Sequence, residues 1–134
     1  MHLGLLNARE KELFLGLAQH LIWVDGENSK EEQQMLLNYC EEMNLPYINE
    51  PVQATDEEII AELIQMSTIQ SKKIIIFELL GLALVDGHYD KKEKEMLRVM
   101  NEHFGIGDGF GIRCEELIRS YIKLQKEIEE VVLK

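Results

Sequence analysis

The stretch VDGENSKEE at residues 24–32 is repeated in similar form as VDGHYDKKE at residues 85–93, sixty-one positions further along the chain. In both copies an apolar run ends at Asp-Gly, and a glutamate follows seven residues after the aspartate, where the next amphipathic run begins. An internal repeat of this kind indicates that one supersecondary unit has been duplicated. The repeat therefore predicts two similar helical hairpins, each with an Asp-Gly turn.

The hydrophobic pattern has the period of an amphipathic helix through most of the chain, with no convincing alternating strand. It predicts six helices, at about residues 8–24, 29–43, 55–67, 71–85, 90–104 and 113–133. Pro46 and Pro51 place the connection between the halves at residues 44–54, because proline cannot continue a helix. Thr55 to Glu58 has the spacing of a capping box that restarts a helix.

These elements predict an all-α fold in a single domain covering residues 1–134. The repeat halves, at about residues 8–43 and 71–104, each have one apolar face and little to bury it against. We therefore expect the two helix–Asp-Gly turn–helix hairpins to pack on each other around a pseudo-twofold axis. The two turns are then expected to share one acidic surface.

The net charge of −11 is concentrated in the first half of the chain. Residues 1–70 contain 3 Lys or Arg against 13 Asp or Glu, whereas residues 71–134 contain 11 against 12. An acidic surface repels phosphate backbones, so nucleic acid is not expected as a partner. A basic protein surface or cations suit this charge better. The alternative interpretation is a set of solvated helix faces.

The longest apolar stretch, residues 74–85, is interrupted by Glu78 and is shorter than the roughly 20 residues needed to cross a bilayer. It predicts a buried helix and no direct membrane insertion. No signal peptide is visible, and Cys40 and Cys114 lie within helical patterns, as small buried hydrophobes do. We therefore expect a cytoplasmic protein.

Capping chemistry accounts for part of the repeated phrase. Ser29 with Glu32, and Asp90 with Glu93, have capping-box spacing, while Gly26 and Gly87 are expected to end the preceding helices in a left-handed conformation. Asp25 and Asp86 remain unexplained, because the helix dipole disfavours an acid at a C-terminus by about 0.3–1 kcal/mol. The N–H groups at the start of the next helix are the simplest partners for these two side chains.

Two other site types do not fit. Asp-Gly followed by Glu matches part of an EF-hand loop, but the first two ligand positions fall on Leu21 and Trp23, and on Leu82 and Leu84, so a true EF-hand is excluded. The glycine-rich residues 105–111 lack the spacing of a phosphate loop and predict a helix end at Gly105 with a flexible turn after it. His88 is the only suggestively placed histidine.

The duplicated phrase, carried by Val24-Asp25-Gly26 with Glu32 and by Val85-Asp86-Gly87 with Glu93, resembles the tellurite-resistance TerB family. The N-terminal domain of DjlA-type co-chaperones is also similar. The resemblance implies an all-helical fold, no established enzymatic activity, and a role in stress response or in membrane-associated protein complexes. It also implies a divalent-cation site, for calcium or magnesium, built from the acidic residues Asp25, Glu32, Asp86 and Glu93.

No pairing of a nucleophile with a base occurs at a recognisable interval, and no Cys and His cluster has zinc spacing, so we do not expect an enzyme. Two hypotheses follow. The first is a non-catalytic TerB-like interaction module that binds a protein partner. The second is a weak divalent-metal-binding protein that uses the two Asp-Gly turns, in which Asp25 and Asp86 are ligands and not structural acceptors.

Overall fold

The computed structural model describes residues 1–24, 29–47 and 52–134. Over these residues the chain forms six α-helices, with a short 3₁₀ turn at Leu3–Leu5 and no strand. The helices, in chain order α1 to α6, are Ala8–Trp23, Lys30–Met43, Asp56–Met66, Ile69–Leu84, Lys91–Phe104 and Asp108–Val132. The all-α prediction is therefore confirmed, and the boundaries differ by at most two residues except at α6.

Helix α4 lies at the centre of the fold, where it packs against α1, α2, α5 and α6. Its apolar residues are distributed around most of its circumference, so it is buried as the sequence predicts. Seven of them are buried: Ile75, Ile76, Leu79, Leu80, Leu82, Ala83 and Leu84. Helix α4, which belongs to the second hairpin, thus packs against both helices of the first.

The predicted capping boxes are all present. Ser29 and Glu32 open α2, Thr55 and Glu58 open α3, and Asp90 and Glu93 open α5, each with both reciprocal hydrogen bonds. These bonds satisfy N–H groups that a helix leaves without an internal partner. Because the capping residue fixes where each helix begins, it also fixes where Glu32 and Glu93 stand.

Helix α6 begins at Asp108, five residues earlier than predicted, so its first turns include two glycines that the sequence assigns to a loop. Gly105 ends α5 at φ 71°, as expected, but the turn that follows is short. It is held by Asn101, whose Nδ2 donates to the Gly107 carbonyl at 2.9 Å. Phe110 packs against the core in the first turn of α6, and this tertiary contact outweighs the low helix propensity of the glycines.

Candidate functional site

Glu32 stands at the start of α2 and is 5% exposed. Its Oε1 accepts hydrogen bonds from the Ser29 N–H at 3.1 Å and from the Ser29 hydroxyl at 3.3 Å. In return the Glu32 N–H donates to Ser29 Oγ at 3.0 Å. The capping box therefore occupies one carboxyl oxygen of Glu32 and holds the other in a fixed direction.

Glu93 has the equivalent position at the start of α5 and is 3% exposed. Its Oε1 accepts from the Asp90 N–H at 3.3 Å, and its own N–H donates to Asp90 Oδ1 at 2.8 Å. Its Oε2 is buried, and within the described part of the chain no N–H or hydroxyl donates to it. A buried acceptor without a donor is costly, and a proton or a cation on this oxygen would remove that cost.

The carboxyl groups of Glu32 and Glu93 lie close enough for each to shift the pKa of the other. Burial raises the pKa of Glu93 to about 8, and the negative charge of Glu32 acts in the same direction, against the opposing bond from the Asp90 N–H. Burial also raises the pKa of Glu32. Two neighbouring buried carboxylates repel each other when both are ionised, so the raised pKa values favour a protonated carboxyl in the pair.

Asp86 lies close enough for its negative charge to add to the raised pKa of Glu32. Its Oδ1 accepts from the His88 N–H at 2.8 Å, so its partner is the turn itself and not the N-terminus of α5, which Asp90 caps. Gly87 has the left-handed conformation that the sequence predicts, with φ 82°. The expectations for Asp25 and Gly26 fall outside the described residues.

The structure thus brings Glu32, Glu93 and Asp86 to one junction between the two repeats. Within residues 1–24, 29–47 and 52–134, no group of three or more His, Cys, Asp or Glu side chains has the arrangement of a metal site. The pair of carboxyl groups can bind a proton or bridge a cation with two oxygens, with Asp86 adding negative charge nearby. His88 is exposed, and its ring contacts the carbonyl of Asp86 at 3.2 Å.

A second candidate site is an apolar groove of about 920 Å³ between α2, α4 and α6. Its walls are formed mainly by Met35, Tyr39, Phe77, Gly81, Leu117 and Tyr121. Gly81 leaves room at its centre, since a Cβ at that position would lie 3.5 Å from the Met35 methyl carbon and 3.6 Å from the Tyr39 hydroxyl. A concave apolar surface with a few polar groups is the usual form of a binding site.

Most of the polar residues that line this groove lie on α2. Lys30, Glu31 and Glu42 are the charged ones there, and Glu42 pairs with the amine of Met1 at 3.0 Å. Glu78 is buried on α4 and accepts from the His2 N–H at 3.1 Å. The acidic character of the first half of the sequence is therefore present at the edge of the groove.

Sequence reasoning missed several features. An Asn7–Glu10 capping box opens α1, and its Asn-x-x-Glu spacing is a signal that could have been found. His20 contacts Asp56 Oδ1 at 2.5 Å and the Val52 carbonyl at 2.9 Å, joining α1 to α3, and no local pattern indicates this. The groove also has no signature in the sequence, because its walls come from three separate helices.

No family model, no curated protein and no solved structure matches this chain. Over the described residues, no helix is both long enough and apolar enough to cross a membrane.

Proposed function

We propose that this chain is a non-catalytic helical interaction module of the TerB-like kind, which binds a protein segment in the groove between α2, α4 and α6. The observation that carries the proposal is the groove itself, an apolar concavity of about 920 Å³. The duplicated phrase and the helical architecture support the TerB-like assignment. The meeting of Glu32 with Glu93 supports a pseudo-twofold relation between the hairpins.

The groove favours a partner segment with apolar side chains and flanking basic residues. The apolar walls provide the contact area, and Glu31, an exposed acid of the groove lining, complements Lys or Arg on the partner. Such binding weakens as salt screens the charges. By the TerB resemblance, we expect the resulting complex to act in a stress response.

Photo-crosslinking from inside the groove tests this proposal. A photoreactive amino acid replaces Asn38, an exposed residue of α2 that lines the groove, and a matched chain carries it at Gln65, an exposed residue of α3 away from the groove. We expect a discrete crosslinked protein from position 38 that is absent from position 65. Equal crosslinking from both positions, or none from position 38, contradicts the proposal.

A second candidate function is divalent-cation binding at the junction of the repeats. The observation that favours it is the proximity of two buried carboxyl groups, one of which has an oxygen that no donor reaches in the described residues. Glu32 and Glu93 would hold the cation, with Asp86 close by and Asp25 as the further acid that the repeat provides. A Ca²⁺ ion takes about six to eight oxygens, so water would complete the shell and binding would be weak.

A further inference from the structure

The C-terminal turns of α6 contain no buried residue. Helix α6 has 25 residues and is therefore about 38 Å long, at about 1.5 Å per residue. Every residue from 123 to 134 is exposed. An isolated helical segment of about 12 residues is only marginally stable in water. Without a packing partner, this part of α6 has little tertiary support.

Apolar residues continue along one face of α6 from its buried part into this extension. They alternate at intervals of four and three, at Phe110, Cys114, Leu117, Tyr121, Leu124, Ile128 and Val131. Phe110 and Cys114 pack within the core, whereas Leu124 is 54% exposed, Ile128 52% and Val131 82%. The spacing is that of a coiled-coil seam, so the exposed part is shaped to pack against another helix.

The exposed apolar area is that of a large patch on a monomer. Six residues of α6 form one apolar surface: Leu117, Tyr121, Leu124, Ile128, Val131 and Val132. Their side chains are each about half exposed or more. The largest apolar patch on a typical monomer is about 300–600 Å², and a standard interface buries about 800 Å² per partner.

Charge is segregated along this part of α6. Residues 117–126 contain Arg119, Lys123 and Lys126 with no acid, and residues 127–133 contain Glu127, Glu129 and Glu130 with no base. Arg119 and Lys126 lie on the face opposite the apolar surface, and Arg119 pairs with Glu115 at 2.9 Å, so Lys123, Glu127 and Glu130 are the charges that flank this surface on one side. A parallel pair of such helices would place basic segment beside basic segment and acidic beside acidic. We propose that two copies of this chain associate through residues 117–133 of α6 in antiparallel orientation, which places the basic half of each copy against the acidic half of the other.

The same orientation matches the apolar layers. When Leu124 faces Ile128 of the partner subunit, Tyr121 faces Val131 of the partner subunit, so four apolar layers form around the twofold axis. Lys123, Glu127 and Glu130 share one flank at i, i+4 and i+7 spacing. In this register Lys123 lies beside Glu127 and Glu130 of the partner subunit, and the sequence of α6 therefore fits a second copy of itself.

This inference rests on the proposed interaction role, because Leu117 and Tyr121 belong both to the α6 surface and to a wall of the groove. The partner for the α6 surface is a second copy of this chain, and dimerisation is measured separately from binding in the groove. Dimerisation is measured on the purified chain alone, whereas partner binding in the groove is measured by crosslinking from Asn38. Failure of one experiment therefore leaves the result of the other intact.

Sedimentation equilibrium of the full chain over a range of concentrations tests the interface. We expect a reversible monomer–dimer equilibrium that Leu124→Ser with Ile128→Ser weakens by roughly 100-fold or more, since buried leucine and isoleucine are lost from both copies. Ile112→Ser is the matched control: Ile112 is 62% exposed on α6 but lies off the apolar surface, so its change leaves the equilibrium in place.

Charge reversal tests whether the partner is a second copy of this chain. One variant has Lys123→Glu, and the other has both Glu127→Lys and Glu130→Lys. Each variant by itself should dimerise more weakly than the wild type, and a mixture of the two should form a heterodimer.

Cysteine pairs test the orientation. A mixture of Tyr121→Cys and Val131→Cys chains should form a disulfide on mild oxidation, while Tyr121→Cys by itself should not. The native Cys40 and Cys114 are buried. Any of three results would overturn the proposal. These are a chain that stays monomeric, a dimer that Leu124→Ser with Ile128→Ser does not weaken, and efficient crosslinking of Tyr121→Cys with itself.

Discussion

The carboxyl groups of Glu32 and Glu93 lie close enough for each to shift the pKa of the other, although each glutamate also closes the capping box of its own helix. The two residues have the same position in the repeated phrase, at the starts of α2 and α5. Two like charges in a buried place repel, so a proton or a cation between them would stabilise the junction. The junction should therefore respond to pH and to cations.

Glu93→Gln should remove a pH dependence of stability. The folded-state pKa of Glu93 is about 8, above its ordinary value of about 4.3. The contribution of Glu93 to the free energy of unfolding is therefore complete below the ordinary pKa and is lost as pH rises toward 8. Gln keeps a neutral group that can donate to Glu32. At pH 8.5 the variant should exceed the wild type in free energy of unfolding by about 1.4 kcal/mol or more, the equivalent of one pKa unit. Urea unfolding at pH 5, 6.5 and 8.5 measures this.

Glu58→Gln is the matched control for that experiment, since Glu58 has the same capping-box position in α3 but is exposed. The Thr55 N–H lowers the pKa of Glu58, so its contribution is present above the ordinary pKa and is lost as pH falls. Its substitution should therefore change stability in the opposite pH direction. Identical pH profiles for the two variants would contradict the account of the Glu32–Glu93 pair.

Asp86→Asn should be tolerated, whereas Asp86→Ala should not. Asparagine keeps the oxygen that accepts from the His88 N–H and removes the charge that adds to the raised pKa of Glu32. Alanine loses the acceptor, which costs about 0.5–1.5 kcal/mol. Urea unfolding at pH 7 compares the two. A large loss with Asp86→Asn would show that the charge itself stabilises the fold.

Cation binding, if it occurs at the junction, should compete with the shared proton. Ca²⁺ or Mg²⁺ added after chelation should then bind more tightly as pH rises toward 8, with proton release visible by calorimetry in two buffers of different ionisation enthalpy. The control is Glu32→Gln with Glu93→Gln, which should stay folded and lose the signal. Asp25→Asn tests the first turn, with Trp23 as a fluorescent reporter. Absence of binding heat in the wild type would remove this second candidate function.

Two glycines within helices, Gly16 in α1 and Gly81 in α4, should respond differently to alanine. At Gly81 an added Cβ meets only ordinary contacts, so Gly81→Ala should stabilise α4 by about 0.5–1 kcal/mol through helix propensity. At Gly16 the Cβ would lie 3.0 Å from Ile59 Cδ1 and 3.1 Å from Val52 Cγ2, so the same change should gain less or destabilise. Thermal unfolding of both variants checks this. Equal stabilisation at both positions would contradict the packing of α1 against α3.

The helices and their caps could be predicted from the sequence because their signals are local. Ser29 and Asp90 stand three residues before glutamates at the start of apolar periods, and the structure confirms both capping boxes. The start of α6 could not be predicted, since Gly109 and Gly111 argue against a helix locally. The Asn101–Gly107 hydrogen bond and the burial of Phe110 decide that region, and both depend on packing between helices.

The candidate site was predictable only in part. Duplication indicated that Glu32 and Glu93 have equivalent positions, but their contact depends on how the hairpins meet. Asp86 was expected to accept a hydrogen bond from an N–H group at the start of the next helix. Its Oδ1 accepts instead from the His88 N–H in the turn, because Asp90 already accepts from the N–H of Glu93 at the start of α5. The groove needs residues from α2, α4 and α6 together, so no single segment of sequence contains it.

The central claim is that the groove binds a protein partner, and the affinity of the crosslinked partner for groove variants tests it most directly. Met35→Glu places a charge on the apolar wall, and Ile69→Glu places the same charge on an exposed apolar residue of α4 outside the groove. Calorimetry should show that Met35→Glu lowers the affinity for the partner by at least about tenfold, equivalent to about 1.4 kcal/mol, and that Ile69→Glu changes it little. Helicity and unfolding are measured on each variant to establish that it is folded. Equal affinity of a folded Met35→Glu chain and the wild type would contradict the proposed function.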